Sequence, residues 1–199
     1  MSPEDASQSS PPMRIFVALT VPSDSVQQLT QVQRHLDDAA RRQRTRLRLT
    51  PSHQFHMTLA FLGNVGEGRL EAVFDAISAV TRLCLQCELC PKRLVALPSP
   101  SRARVIALAF EEATGQLSPF VASLHSRLRG CGCELEDRAF YAHITLARFR
   151  EAQRTPVFDE QCLSAVASVH TPEVVVFRSI LRHSGAEYHR LHSAAFQAG

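Results

Sequence analysis

The sequence predicts an α+β protein: one bilobal domain whose two pseudo-symmetric lobes are mainly antiparallel sheets with helices outside and a central cleft. Three observations carry this. The strand-like phrase His-x-Thr-Leu-Ala occurs twice, starting at His56 and at His143. Strand-like and helix-like runs recur in two batches, each holding one copy of the phrase. No linker-like composition separates the batches, so the lobes are expected to share a cleft.

The elements are taken in chain order. "RIFVALTV" (14–21) is β-branched and aromatic and is ended by Pro22, which marks a strand. Ser23 or Asp24 can cap a following helix with Val26, Leu29, Val32 or Gln33, and Leu36 on one face. A basic stretch, "RRQRTRLRL" (41–49), leads to the strand "FHMTLAFLG", closed by Gly63-Asn64. Leu70, Val73, Phe74, Ile77 and Val80 share a helical face within 67–82. "LCLQCELC" (83–90) and "ARVIALAF" (103–110) read as strands, with a "PSPS" turn (98–101) between them. Gly115 to Arg129 is amphipathic through Leu117, Phe120, Val121, Leu124 and Leu128, and Gly130 stops it. "HITLARF", "EVVVFRSIL" (173–181) and "YHRLHSAAF" (188–196) complete the set, the last two joined by "RHSGAE".

With 199 residues and 45% hydrophobic composition, the chain fits one domain with a real core. Its net charge of +3 tolerates a polyanionic partner without demanding one. Residues 1–12, "MSPEDASQSSPP", have neither the basic start nor the apolar stretch of a signal peptide. They are expected to be a disordered tail before a domain spanning 13–199. No run approaches the roughly 18 apolar residues of a membrane span. A soluble, cytoplasmic monomer is expected.

The six cysteines include the run "CLQCELC". Alternation on a strand would set Cys87 on the opposite face from Cys84 and Cys90, and Cys131-Gly132-Cys133 is too tightly spaced for usual zinc ligation. Reduced, packed thiols are the expectation.

Alternation also organises the repeated phrase. His56 and Thr58 point one way while Met57 and Leu59 point into a core, and His143 with Thr145 behaves likewise against Ile144 and Leu146. Two such strands facing one cleft would bring together two imidazoles able to act as acid and base. Their threonine hydroxyls could hydrogen-bond phosphoryl oxygens. Arg148 suits developing phosphate charge, yet strict alternation turns it away from His143 unless the strand bulges or the side chain curls.

These residues resemble the two-histidine phosphoesterase superfamily, marked by paired HxTx motifs. Within it the chain is most similar to RNA 2′,3′-cyclic phosphodiesterases, also called 2′–5′ RNA ligases, from Arg14 to about Phe196. "RIFVALTVP", "HMTLAFLGNV", "HITLARF", Ser179 and "GAEYHRL" carry the resemblance. It implies hydrolysis of RNA 2′,3′-cyclic phosphate ends to 2′-phosphates, with weak reversible 2′–5′ ligation in several members. It also implies catalytic His56 and His143, phosphate-binding Thr58, Thr145 and Arg148, and neither cofactor nor metal. His143 is assigned as proton acceptor and His56 as proton donor. Ala142 stands where proline often precedes the second histidine, Met57 where leucine is frequent, and "RLRL" (46–49), itself expected as a strand, lacks an aromatic common before the first motif.

The substrates implied are RNA ends or small cyclic nucleotides. The alternatives are a phosphodiesterase for 2′–5′ oligoadenylates or small cyclic nucleotides, and a non-catalytic RNA-binding module. The arginines at 41, 42, 44, 46 and 48 could guide an RNA strand or simply be solvated. His53, in H-x-x-H with His56, is expected at a turn or in solvent, and His183, His189 and His192 on the surface. Phe16 is expected in the core, with base stacking as the alternative.

Overall fold

A computed structural model of the chain describes residues 11–183 and 185–197, so most of the expected N-terminal tail lies outside the described residues. In chain order the elements are β1 (Met13–Thr20), α1 (Ser23–Arg42), β2 (Arg48–Leu49), β3 (His56–Val65), α2 (Leu70–Thr81), β4 (Glu88–Leu97) and β5 (Ala103–Glu112). After these come α3 (Leu117–Gly130), β6 (His143–Gln153), β7 (Val169–His170), β8 (Glu173–Arg182) and β9 (Gly185–Ala195).

Two antiparallel sheets result, β3-β1-β8-β9 and β2-β6-β5-β4-β7. The lobes are therefore not the two halves of the sequence. Each half begins with a strand that pairs with its own His-x-Thr strand, β1 with β3 and β5 with β6. Each then sends a later strand into the other sheet: β4 joins β5, and β8 joins β1. The helices cross as well. α2 contacts α3, β8 and β9, whereas α1 lies against β6 and the short helical turn Glu160–Ala165. The buried apolar residues form one cluster drawing on both sheets and all three helices.

The helices obey the predicted periodicity. α1 buries Leu29, Val32, Gln33 and Leu36, and α3 buries Leu117, Phe120, Val121, Leu124 and Leu128. Neither Ser23 nor Asp24 caps α1; Pro22 occupies the cap position and Asp24 sits in the first turn, where its charge suits the helix dipole. Among the described residues no helix is long and apolar enough to cross a membrane.

Two strand expectations are corrected. Only Arg48–Leu49 of the basic stretch pairs, forming a two-residue edge. Residues 83–87 form a turn after α2 with one isolated bridge at Leu85, and the strand begins at Glu88 and runs on to Leu97. Pro91 fits inside β4 because β7 pairs only with Glu88 and Leu89. Beyond them that side of β4 is an edge, where a missing N–H costs no ladder bond. Cys84 is thus outside any strand, and all six cysteines are free thiols. Burial pushes the Cys87 thiol up to about 11.

Candidate active site

β3 and β6 come from different sheets and approach each other. Their first nine residues share one burial sequence. The histidine and threonine are half-buried, the residues after each are buried, and Ala60 and Ala147 are buried next to Leu59 and Leu146. Two consecutive buried residues break the period of two, and the ladder gives the reason. The β1–β3 register slips between Val17/Ala18, leaving Leu59 as the extra residue. The β5–β6 register slips at the matching place, between Ile106/Ala107, leaving Leu146. These are β-bulges, and each reverses the parity of the residues after it.

The bulge settles the orientation of Arg148. It lies on the same face as His143 and Thr145, and it lines a cleft of about 510 Å³ with His56, Thr58, His143 and Thr145. All five residues singled out from the sequence therefore meet in one place. The matching bulge in β3 aims Phe61 at the same cleft, 43% exposed. The Arg14 guanidinium lies 5.8 Å from the Phe61 ring centre. At equivalent positions, one lobe presents a guanidinium and the other an aromatic ring.

Both bulges are tied down from a helix of the other half. Gln33 Nε2 on α1 donates to the Leu146 carbonyl at 2.6 Å and to the Thr50 carbonyl at 2.8 Å. His125 Nε2 on α3 lies 2.8 Å from the Leu59 carbonyl. A carbonyl only accepts, so His125 donates there. A bulge interrupts the ladder, and these side chains supply partners for its displaced carbonyls.

The two cleft imidazoles are held alike. Nδ1 of His56 lies 2.7 Å from the Gln54 carbonyl, and Nδ1 of His143 lies 2.7 Å from the Tyr141 carbonyl. Nδ1 must carry the hydrogen in both, which leaves Nε2 as the exchangeable site. Burial pushes both below the usual imidazole value, and the backbone bonds act in the opposite direction. The charge of Arg148 lowers both further, joined by His143 at His56 and by Arg138 at His143. Their surroundings differ: His56 packs against Phe16 at 5.0 Å and edge-on to Tyr188 at 5.3 Å, and His143 against Tyr141 at 5.9 Å.

Phe16 is buried, as expected, beneath this ring cluster, stacked on Phe61 and Phe177. His53 and His189 line a pocket of about 280 Å³ that also reaches His56. His192 is not simply a surface residue. Its Nε2 lies 2.8 Å from Ser78 Oγ and its ring stacks on Phe74 at 4.7 Å, tying β9 to α2.

Sequence reasoning missed Arg104, Arg138, Tyr141 and Tyr188, which also line the cleft. Arg104 arrives from β5; Arg138 and Tyr141 come from the loop just before His143, and Tyr188 lies in the quoted "GAEYHRL", but none stands in a His-x-Thr phrase. It also missed the part played by Gln33, although an amide on the buried face of a helix signals a buried polar partner.

Known proteins share this outline. A family model described as LigT like Phosphoesterase matches residues 19–107 and 108–188, one His-x-Thr strand in each. The chain is 27% identical over 150 residues to the RNA 2′,3′-cyclic phosphodiesterase of Aeropyrum pernix, covering 73% of this chain and 84% of that one. It is 27% identical over 138 residues to the protein of the same name from Archaeoglobus fulgidus, covering 69% and 73%. Among solved structures, the protein TT0787 of Thermus thermophilus superposes with a TM-score of 0.74 at 22% identity, over 94% of this chain and 99% of that one. E. coli LigT gives 0.73 at 23% identity over the same shares, and that protein has also been crystallised with 3′-AMP. At such identities the superpositions speak for the fold, while the family model spans most of the chain. The chain belongs to the LigT-like phosphoesterase family of hydrolases.

Proposed function

We propose that the protein hydrolyses 2′,3′-cyclic phosphate ends of RNA to 2′-phosphates, by paired-histidine acid–base catalysis without a metal. The observation that carries this is the matched pair of imidazoles lining one cleft, each with Nδ1 fixed by a carbonyl two residues earlier. The names of the archaeal relatives support the choice of substrate. The 3′-AMP bound by E. coli LigT supports a ribonucleotide phosphate as the group the cleft receives.

In this reading His143 Nε2 takes a proton from a water whose oxygen forms a bond to phosphorus. The P–O3′ bond breaks, its electron pair goes to O3′, and protonated His56 Nε2 supplies the proton there. The phosphate stays on O2′. Thr58 and Thr145 donate to the non-bridging oxygens, and Arg148 stabilises charge that grows on them. Catalysis is positioning and electrostatics, as in phosphoryl transfer generally.

The donor set of the cleft favours a metal-free route. It offers imidazoles, hydroxyls and guanidinia with one carboxylate, Glu136, whereas Mg²⁺ requires oxygen ligands. Among the described residues no group of three or more His, Cys, Asp or Glu is placed to hold a metal ion. The test is an oligonucleotide ending in a 2′,3′-cyclic phosphate, incubated with protein in excess chelator, with products separated by phosphate position. A 2′-phosphate product is expected. Loss of activity on chelation, restored by a divalent ion, would sink the mechanism. Binding without turnover would favour an RNA-binding module instead.

A further inference from the structure

We propose that His125 is a positioning residue for the nucleoside end of the substrate: by holding the bulge at Leu59 it keeps the Phe61 ring in the cleft, and so it governs substrate affinity. This rests on the proposed activity and adds to it a division of labour between the two halves, because Gln33 acts on turnover through Arg148.

Little of the ladder holds Phe61 in place. Ala60 and Phe61 pair with Val17 and Phe16 of β1, but the register slips on both sides of this pair of residues, leaving out Leu59 before it and Leu62 after it. β6 repeats the arrangement. Ala147 and Arg148 pair with Ile106 and Val105, with Leu146 left out before them, and the next pair beyond Arg148 is Gln153 with Ala103. Each cleft residue therefore stands on a short island of regular pairing. A slip of one residue turns every side chain on such an island to the opposite face, so the ladder alone does not fix the aim.

The anchor comes from outside the sheet in both halves. His125 Nε2 on α3 lies 2.8 Å from the carbonyl of Leu59, two residues before Phe61. Gln33 Nε2 on α1 lies 2.6 Å from the carbonyl of Leu146, two residues before Arg148. An imidazole donating through Nε2 does so whether or not Nδ1 also carries a hydrogen, so this anchor does not depend on the charge of the ring.

What the two anchors aim is different. Gln33 aims a guanidinium, which acts on charge that grows on the phosphate during reaction. His125 aims an aromatic ring. Phe61 is backed by Phe16 at 5.6 Å and by the Arg14 guanidinium at 5.8 Å, and it opens onto the cleft beside Leu97 and Pro98. An apolar ring offers little to a phosphoryl group, whereas it offers a flat face to a nucleobase. Such a contact is the same in bound substrate and in transition state, so losing it raises KM and leaves kcat alone.

The experiment is steady-state kinetics on a nucleoside 2′,3′-cyclic phosphate. His125→Leu should raise KM about tenfold, the size of one lost hydrogen bond to a half-buried carbonyl, with kcat little changed. His125→Gln should keep the wild-type KM, because an amide of that length makes the equivalent bond from Gln33. His125→Asn, with a shorter side chain, should raise KM as leucine does. Phe61→Leu should raise KM by itself, and in that background His125→Leu should add little. A wild-type KM in His125→Asn or in Phe61→Leu would overturn the inference, as would a fall in kcat without a rise in KM, or losses that simply add. The glutamine and asparagine variants keep a polar group at the site, so they decide the matter where the leucine variant fails to fold. Absence of turnover by wild-type protein would bring down the proposed activity, and this inference with it.

Discussion

Gln33 reaches across from α1 and donates to the carbonyl of Leu146 at 2.6 Å, the residue at which β6 bulges. The bond matters because the bulge aims Arg148. Thr50 N also donates to that carbonyl at 2.9 Å, so the bulge is held by a strand edge and by a side chain of the other half.

Replacing Gln33 by leucine removes two hydrogen bonds from a buried site. A stability loss of about 1–3 kcal/mol is expected, read from denaturant midpoints. Turnover should fall as well, because a relaxed bulge turns Arg148 from the cleft. Stability alone cannot separate the two effects, but a double-mutant cycle can. In an Arg148→Ala background, Gln33→Leu should cost much less turnover than in wild type, and additive losses would mean that Gln33 serves packing only.

Arg148→Lys keeps the charge but loses the planar fork. A fall in turnover of about tenfold or more is expected with little change in melting temperature, since the side chain is exposed and its backbone position is unchanged. Wild-type kinetics in this variant would remove Arg148 from the phosphate site.

Both imidazoles are pushed down from the ordinary value of about 6.5, chiefly by burial. One must start protonated and the other neutral, so the profile of kcat/KM against pH should be a bell. Lowered values move both limbs to acid, which puts the optimum for free enzyme below about 6.5. A bound phosphate anion favours the charged imidazole, so the kcat optimum should lie higher than that of kcat/KM. Coincident optima at alkaline pH would contradict the pairing.

His56→Ala and His143→Ala should each lower turnover by roughly 10²–10⁴. Because they act on one displacement, the double variant should lose far less than the product of the single losses. A substrate with an activated leaving group needs no acid and should rescue only the variant lacking it, expected to be His56→Ala. Rescue of His143→Ala instead would exchange the two roles.

The sequence alone determined much of this protein. Residues buried at helical period in α1, α2 and α3 and the β-branched runs of β1, β5 and β8 follow from local patterning. The repeated His-x-Thr was legible because alternation fixes which side chains leave a strand together. Tertiary structure decided what breaks that alternation. Whether Leu59 and Leu146 bulge depends on their ladders with β1 and β5, and on Gln33 and His125 arriving from distant helices. A period-two reading of "HITLARF" therefore turns Arg148 the wrong way. The exchange of β4 and β8 between sheets was equally invisible, since it is set by which edges remain open once β1–β3 and β5–β6 have paired. Strand periodicity is a local property of the chain; register, bulging and strand exchange are properties of the partners a strand finds.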